Sequence, residues 1–138
     1  GRTLDTTITA AKLILGGLLD RYPRLKLVLV HGGGYLPYQM ERIDHGYVRG
    51  QARPKELQRG KPSDYLPLLY YDTVAMSPAA VRLLRDVAGA DHIMLGSDFV
   101  FAGDEEPIVE QVDHAGLAPE EVACIYCKTA QQLFMQGA

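Results

Sequence analysis

Between Thr6 and Leu19 the apolar residues Ile8, Ala11, Leu13, Ile14, Leu18 and Leu19 recur at spacings of three and four, which predicts an amphipathic helix. Asp20-Arg21-Tyr22-Pro23 ends it, because proline lacks the N–H donor and its ring clashes with the preceding turn. The run Leu25–Val30, broken only by Lys26, is short and rich in leucine and valine, the pattern of a strand buried on both faces. It stops at His31-Gly32-Gly33-Gly34. Tyr35 to Tyr47 predicts a second helix, with Leu36, Met40, Ile43 and Tyr47 along one side and Pro37 tolerated in the first turn. Residues 49–64 carry Arg53, Lys55, Glu56, Arg59 and Lys61 and few core candidates, so an exposed helix or loop is expected there.

Leu68–Val74 is a second strand candidate, after which Ser77-Pro78 caps and starts a helix running through Val81, Leu84 and Val87 to Gly89. The third strand is His92–Gly96. Ser97 and Asp98 follow it, then a loop from Phe99 to Pro107 with Gly103 and three acidic residues. Two helices close the chain, Pro107–Gly116 and Pro119–Met135, the second with Glu120 and Glu121 in its first turn, where the helix dipole favours them. There is no internal repeat and no low-complexity tract. Strands alternating with helices predict a parallel sheet covered by helices.

Composition narrows the partners. Apolar residues make up 47% and charged residues 22% of the 138, the balance of a globular chain with a core. Seventeen acidic against fourteen basic residues leave a formal charge of −3, without the basic excess that would neutralise phosphates, so nucleic acid is not an expected partner. No apolar run approaches the roughly 20 residues of a membrane span, so no membrane contact is expected. Two cysteines, Cys124 and Cys127, are too few for a disulfide framework, and the opening residues lack a signal-peptide pattern, so a cytoplasmic address is inferred. The first residue is Gly, so the chain is expected to begin inside a longer protein.

In parallel α/β folds reactive groups gather at the carboxyl ends of the strands, which here are His31 and Asp98. Three glycines after His31 let the backbone turn and are expected to leave space above the imidazole. His31 is either catalytic or a helix-capping loop residue. Asp98 either caps the next segment or, beside a histidine, supplies a ligand to a divalent metal, which binds deprotonated oxygen and neutral imidazole. Other signals are weaker. Cys124 and Cys127 have C-x-x-C spacing but fall mid-helix with no second pair, which favours packing over metal or redox chemistry. His-Gly-Gly-Gly resembles the oxyanion loop of some esterases, yet Ser97 lacks the flanking glycines of a nucleophile elbow. Neither a Walker lysine nor a completed Gly-x-Gly-x-x-Gly follows the glycines. His45, His92 and His114 read as surface or packing residues.

Several motifs in fixed order carry a family resemblance: Arg21-Tyr22-Pro23-Arg24-Leu25-Lys26-Leu27-Val28-Leu29-Val30-His31-Gly32-Gly33-Gly34, Leu36-Pro37-Tyr38, Arg42-Ile43-Asp44-His45-Gly46, Tyr71-Asp72-Thr73 and Leu95-Gly96-Ser97-Asp98-Phe99. Together they resemble the carboxyl-terminal half of the amidohydrolase superfamily, closest to the metal-dependent decarboxylases typified by aminocarboxymuconate semialdehyde decarboxylase. The resemblance implies a (β/α)8 TIM barrel, of which residues 1–138 would be the last three βα units and a preceding helix. Such a barrel needs about 250 residues. The implied roles are proton transfer at a metal-bound water for His31, metal ligation for Asp98, contact with substrate for Phe101, and a grip on the substrate carboxylate across a homodimer interface for Arg42. The family's His-x-His pair and its fifth-strand histidine are found nowhere in the 138 residues and are expected upstream. The chain also has Val100 where the family often has proline, and Lys128-Thr129-Ala130 in place of Gly-Asn-Ala.

The function implied is non-oxidative decarboxylation of a small unsaturated or aromatic carboxylic acid. The implied cofactor is a divalent metal, zinc with manganese as the alternative, and no organic cofactor. Two alternatives stand beside it: metal-dependent hydrolysis of a lactone or amide by the same ligands, and a non-catalytic domain, since one carboxylate rarely holds zinc firmly.

Overall fold

Helix α1 (Arg2–Leu15) turns Ala10 and Ile14 into the core, 2% and 1% exposed, and stops where glycine permits a change of direction. The Gly16 N–H donates to the Lys12 carbonyl, and Gly17 takes φ 68°, a left-handed conformation that glycine adopts without a Cβ clash. The single helix expected to continue to Leu19 is therefore two, with the four-residue α2 (Leu18–Arg21) following the turn. The computed structural model describes residues 1–50, 56–101 and 108–135.

Strands β1 (Val28–Leu29), β2 (Tyr70–Asp72) and β3 (Ile93–Met94) form a parallel sheet in the order β1-β2-β3. They are shorter than their apolar runs. The register pairs Val28 with Tyr70, Leu29 with Tyr71, Tyr71 with Ile93 and Asp72 with Met94. Residues in register share a face, and successive residues alternate. The row Leu29–Tyr71–Ile93 is buried against the helices, whereas Val28 and Val30 on the other face of β1 are 38% and 49% exposed. This corrects the expectation that β1 is buried on both sides: among the described residues β1 has one strand neighbour, and helices cover one face.

Helix α3 (Leu36–Val48) follows the glycines, with Leu36 and Met40 in the core and Ile43 and Tyr47 partly buried against it. Asp44 is buried on the same helix. It accepts the Ser63 N–H at 2.8 Å and pairs with Lys61 at 3.1 Å, as a buried carboxylate requires. These bonds anchor a 3₁₀ turn, Pro62–Leu68, and Tyr65 donates its hydroxyl to Asp20 of α2. Leu57 and Pro62 are buried, so the expected exposed segment is surface only in part, and Tyr65 and Leu66 just beyond it enter the core; residues 51–55 of the segment lie outside the described residues.

Helix α4 (Pro78–Ala88) packs through Val81 and Leu84 and ends at Gly89, φ 89°. Ser77 occupies its cap position, but its hydroxyl makes no capping bond. A 3₁₀ turn, Ala90–His92, leads into β3. His92 packs rather than reacts, stacked on Tyr70 with centroids 4.7 Å apart and its Nδ1 3.0 Å from the Leu69 carbonyl oxygen. The helix expected from Pro107 is the short α5 (Glu110–Asp113) among the described residues. The last helix is α6 (Pro119–Ala123), a π-helical turn (Cys124–Lys128) and α7 (Thr129–Phe134) in succession. Glu121 accepts the Ala118 N–H at its start. The π turn ties the helix to the sheet: the Ile125 carbonyl accepts the Leu95 N–H at 2.9 Å, just past β3. Cys124 and Cys127 are free thiols on this turn. Among the described residues no helix is long and apolar enough to cross a membrane.

Candidate active site

The three strands release the chain at one end of the sheet, and hydrogen bonds from backbone N–H groups to side-chain oxygens lace those ends together. The Gly32 N–H donates to Asp72 Oδ1 at 2.8 Å, linking the end of β1 to the end of β2, and the same oxygen accepts the Val74 N–H at 3.1 Å. The Gly96 N–H donates to Thr73 Oγ1 at 3.1 Å, linking β2 to the segment after β3. His31 and Asp98 sit at these junctions with φ 58° and 55°, a left-handed conformation uncommon for residues with a Cβ. Such backbone costs of order 1–3 kcal/mol and tends to gather at functional sites.

The glycines serve close packing rather than open space. A Cβ on Gly33 would lie 3.0 Å from the Tyr71 ring, and one on Gly32 would lie 3.2 Å from Ala75 Cβ. Gly96 is equally confined, with Val74 2.9 Å and Asp72 3.0 Å from a Cβ placed there. Beneath this layer burial raises the Tyr71 phenol well above its ordinary pKa, so it stays a neutral donor to the Leu66 carbonyl. Tyr71 thus adds no charge beneath the turn, where the carboxylate is that of Asp72.

A cavity of about 530 Å³ opens above the strand ends, lined by Arg2, Val30, His31, Asp72, Asp98 and Phe101, among others. Three of the four residues singled out in the sequence therefore meet. His31 Nδ1 is buried with no hydrogen-bond partner among the described residues, which leaves the nitrogen to be satisfied by a proton, a water or a metal. Asp98 is half-buried, its backbone carbonyl accepting the Phe101 N–H at 2.7 Å. Arg42 is elsewhere: it is exposed on α3, does not line the cavity, and makes no ion pair among the described residues.

The donor chemistry fits part of a metal site. Asp98 offers a carboxylate and His31 an unpartnered imidazole nitrogen, while no group of three or more histidine, cysteine, aspartate or glutamate residues converges among the described residues. Two lining residues escaped the sequence reading. Asp72 had a usable signal, since it ends β2 as Asp98 follows β3. Arg2, at the start of α1, had none, because it precedes the apolar periodicity that begins at Thr6.

Asp72 makes an early test of this architecture. Alanine there would strip two backbone donors of their acceptor, expected to cost about 1–3 kcal/mol in unfolding free energy. Asparagine retains a carbonyl oxygen and is expected to recover most of it. Denaturant unfolding of the full-length variants compares the two, and equal losses would mean that the acceptor oxygen is not what matters.

The family described as Amidohydrolase matches residues 3–135. The chain belongs to that family. Over 105 residues this amidohydrolase chain is 34% identical to the 2-amino-3-carboxymuconate-6-semialdehyde decarboxylase of Caenorhabditis elegans, covering 73% of the chain and 25% of that protein. Among solved structures it resembles 5-carboxyvanillate decarboxylase from Sphingomonas paucimobilis, with TM-score 0.86 and 28% identity over 96% of the chain and 40% of the other. It also resembles a dihydroxybenzoic acid decarboxylase from Polaromonas sp. JS666 with bound manganese and the inhibitor 2-nitroresorcinol, with TM-score 0.83 and 28% identity over 99% of the chain and 41% of the other. The amidohydrolase chain thus spans a quarter to two fifths of the length of these relatives.

Proposed function

We propose that the chain is the carboxyl-terminal part of a (β/α)8-barrel decarboxylase that removes CO₂ non-oxidatively from a small unsaturated or aromatic carboxylic acid. The observation that carries this reading is that His31 and Asp98 line one cavity above the ends of β1 and β3, on either side of β2, His31 with a buried Nδ1 that has no hydrogen-bond partner among the described residues. The three relatives above are all decarboxylases of unsaturated or aromatic acids by name.

Asp98 would hold a divalent metal, zinc or manganese, together with histidines expected elsewhere in the full-length protein. When bound, such a metal polarises substrate oxygens and lowers the pKa of water. His31 moves the proton. Its imidazole delivers H⁺ to the substrate carbon that bears the carboxylate. The C–C bond to the carboxylate then breaks, CO₂ leaves, and the electron pair of that bond restores the conjugated system, so no organic cofactor is needed. Phe101 packs against the substrate. Arg42, outside its own cavity, serves the carboxylate in the neighbouring subunit of a homodimer. A cytoplasmic address accompanies this reading.

The test uses the full-length protein, with metal measured by mass spectrometry and CO₂ release followed on a panel of hydroxybenzoates. Asp98→Ala is expected to weaken metal binding on the order of a hundredfold or more, at least what loss of an outer-sphere partner costs, and to abolish CO₂ release. Full metal content in the Asp98→Ala protein would overturn the assignment.

A further inference from the structure

Arg2 is the one permanent cation among the described residues that line the cavity, which also holds the carboxylates of Asp72 and Asp98. Its guanidinium lies 4.5 Å from the centroid of the Phe101 ring. Among the described residues its side chain makes no ion pair and no hydrogen bond, the Thr6 hydroxyl reaching only its backbone carbonyl. A guanidinium held over an aromatic ring leaves N–H donors for another partner. Its planar fork matches the two oxygens of a carboxylate, the acceptor arginine binds best. Apolar surface lies beside it, from Val30, Phe99 and Phe101. A volume of about 530 Å³ is in the range of small-molecule sites and admits a single substituted ring.

We propose that Arg2 is a carboxylate-binding residue of this cavity, supplied by the same chain as His31 and Asp98, and that it selects ring acids over their neutral counterparts. The inference rests on the reading of the cavity as the substrate site and deepens it. It differs from the role given to Arg42, which acts across an interface, whereas Arg2 acts within its own subunit. It also differs from a role in which Arg2 merely neutralises Asp72 and Asp98.

Calorimetric titration of the metal-loaded full-length protein with benzoate, and with benzamide as the neutral counterpart, tests it. The wild-type protein is expected to prefer benzoate. Arg2→Gln should weaken benzoate binding at least tenfold and change benzamide binding less than twofold, with metal content unchanged. Arg2→Lys, which keeps the charge and loses the fork, should fall between. Benzoate bound by Arg2→Gln as tightly as by wild type would overturn the role of Arg2 and leave the decarboxylase reading standing. Benzoate ignored by the wild-type protein would remove both. Metal lost from Arg2→Gln in step with benzoate would assign Arg2 to supporting Asp98 and overturn the proposal as well.

Discussion

Replacing His31 in the full-length enzyme is expected to lower turnover by about a hundredfold or more while leaving bound metal near the wild-type content. General acid–base groups contribute about 10²- to 10⁴-fold when they meet the reacting atoms. The buried Nδ1 of His31, without a hydrogen-bond partner among the described residues, is the cavity's candidate for that work. The choice of substitute matters because His31 holds φ 58°. Asparagine tolerates left-handed backbone better than alanine, so His31→Asn separates the loss of the imidazole from any strain in the turn. Both variants should lose turnover alike if proton transfer is the cause. Recovery of activity in His31→Asn alone would trace the defect to the backbone and remove His31 from the chemistry. The contrast with Asp98→Ala, which should lose metal first, distinguishes the proton donor from the ligand.

The parts of this site that are legible in the sequence are those fixed by a single strand and its exit. His31 follows its apolar run directly and Asp98 follows its own by three residues, and the rule that parallel strands present their carboxyl ends to ligands places both at one end of the sheet. What stays hidden depends on contacts between distant segments. Tyr65 enters the core because Asp20, 45 residues earlier, accepts its hydroxyl proton. Asp44 is buried because Ser63 and Lys61 satisfy it. Neither partner is visible in the local pattern, where Lys61 belongs to the segment expected to be exposed. The exposure of Val28 and Val30 is hidden for another reason: an apolar run reports that a strand can be buried on both faces, and its environment decides whether it is. The glycines after His31 suggest open space in the sequence, and they instead remove Cβ atoms that would strike Ala75, Tyr71 and α1.

The last of these contacts gives the largest expected effect on stability. Gly34→Ala should destabilise the full-length protein by about 2–6 kcal/mol, the sum of two independent costs. Gly34 adopts φ 65°, ψ −130°, backbone open mainly to glycine, which costs of order 1–3 kcal/mol with a side chain present. Its Cβ would also stand 2.3 Å from the Thr3 carbonyl oxygen and 2.6 Å from Thr7 Oγ1, and overpacking of that kind typically costs about 1–3 kcal/mol more. Gly116 supplies the control, since it has φ 68° and nothing within 4 Å of a Cβ placed on it. Gly116→Ala should therefore show the backbone cost alone, and denaturant unfolding should place Gly34→Ala well below it. Equal losses in the two variants would mean that α1 does not approach the glycine turn as closely as described. The same contact reaches the chemistry. Thr7 Oγ1 accepts the Tyr35 N–H at 2.8 Å and donates to the Thr3 carbonyl at 2.8 Å, joining α1 to the turn that follows His31. A methyl group wedged there would shift Arg2 on α1 away from His31 on the turn, so Gly34→Ala should also weaken benzoate binding even where the protein remains folded.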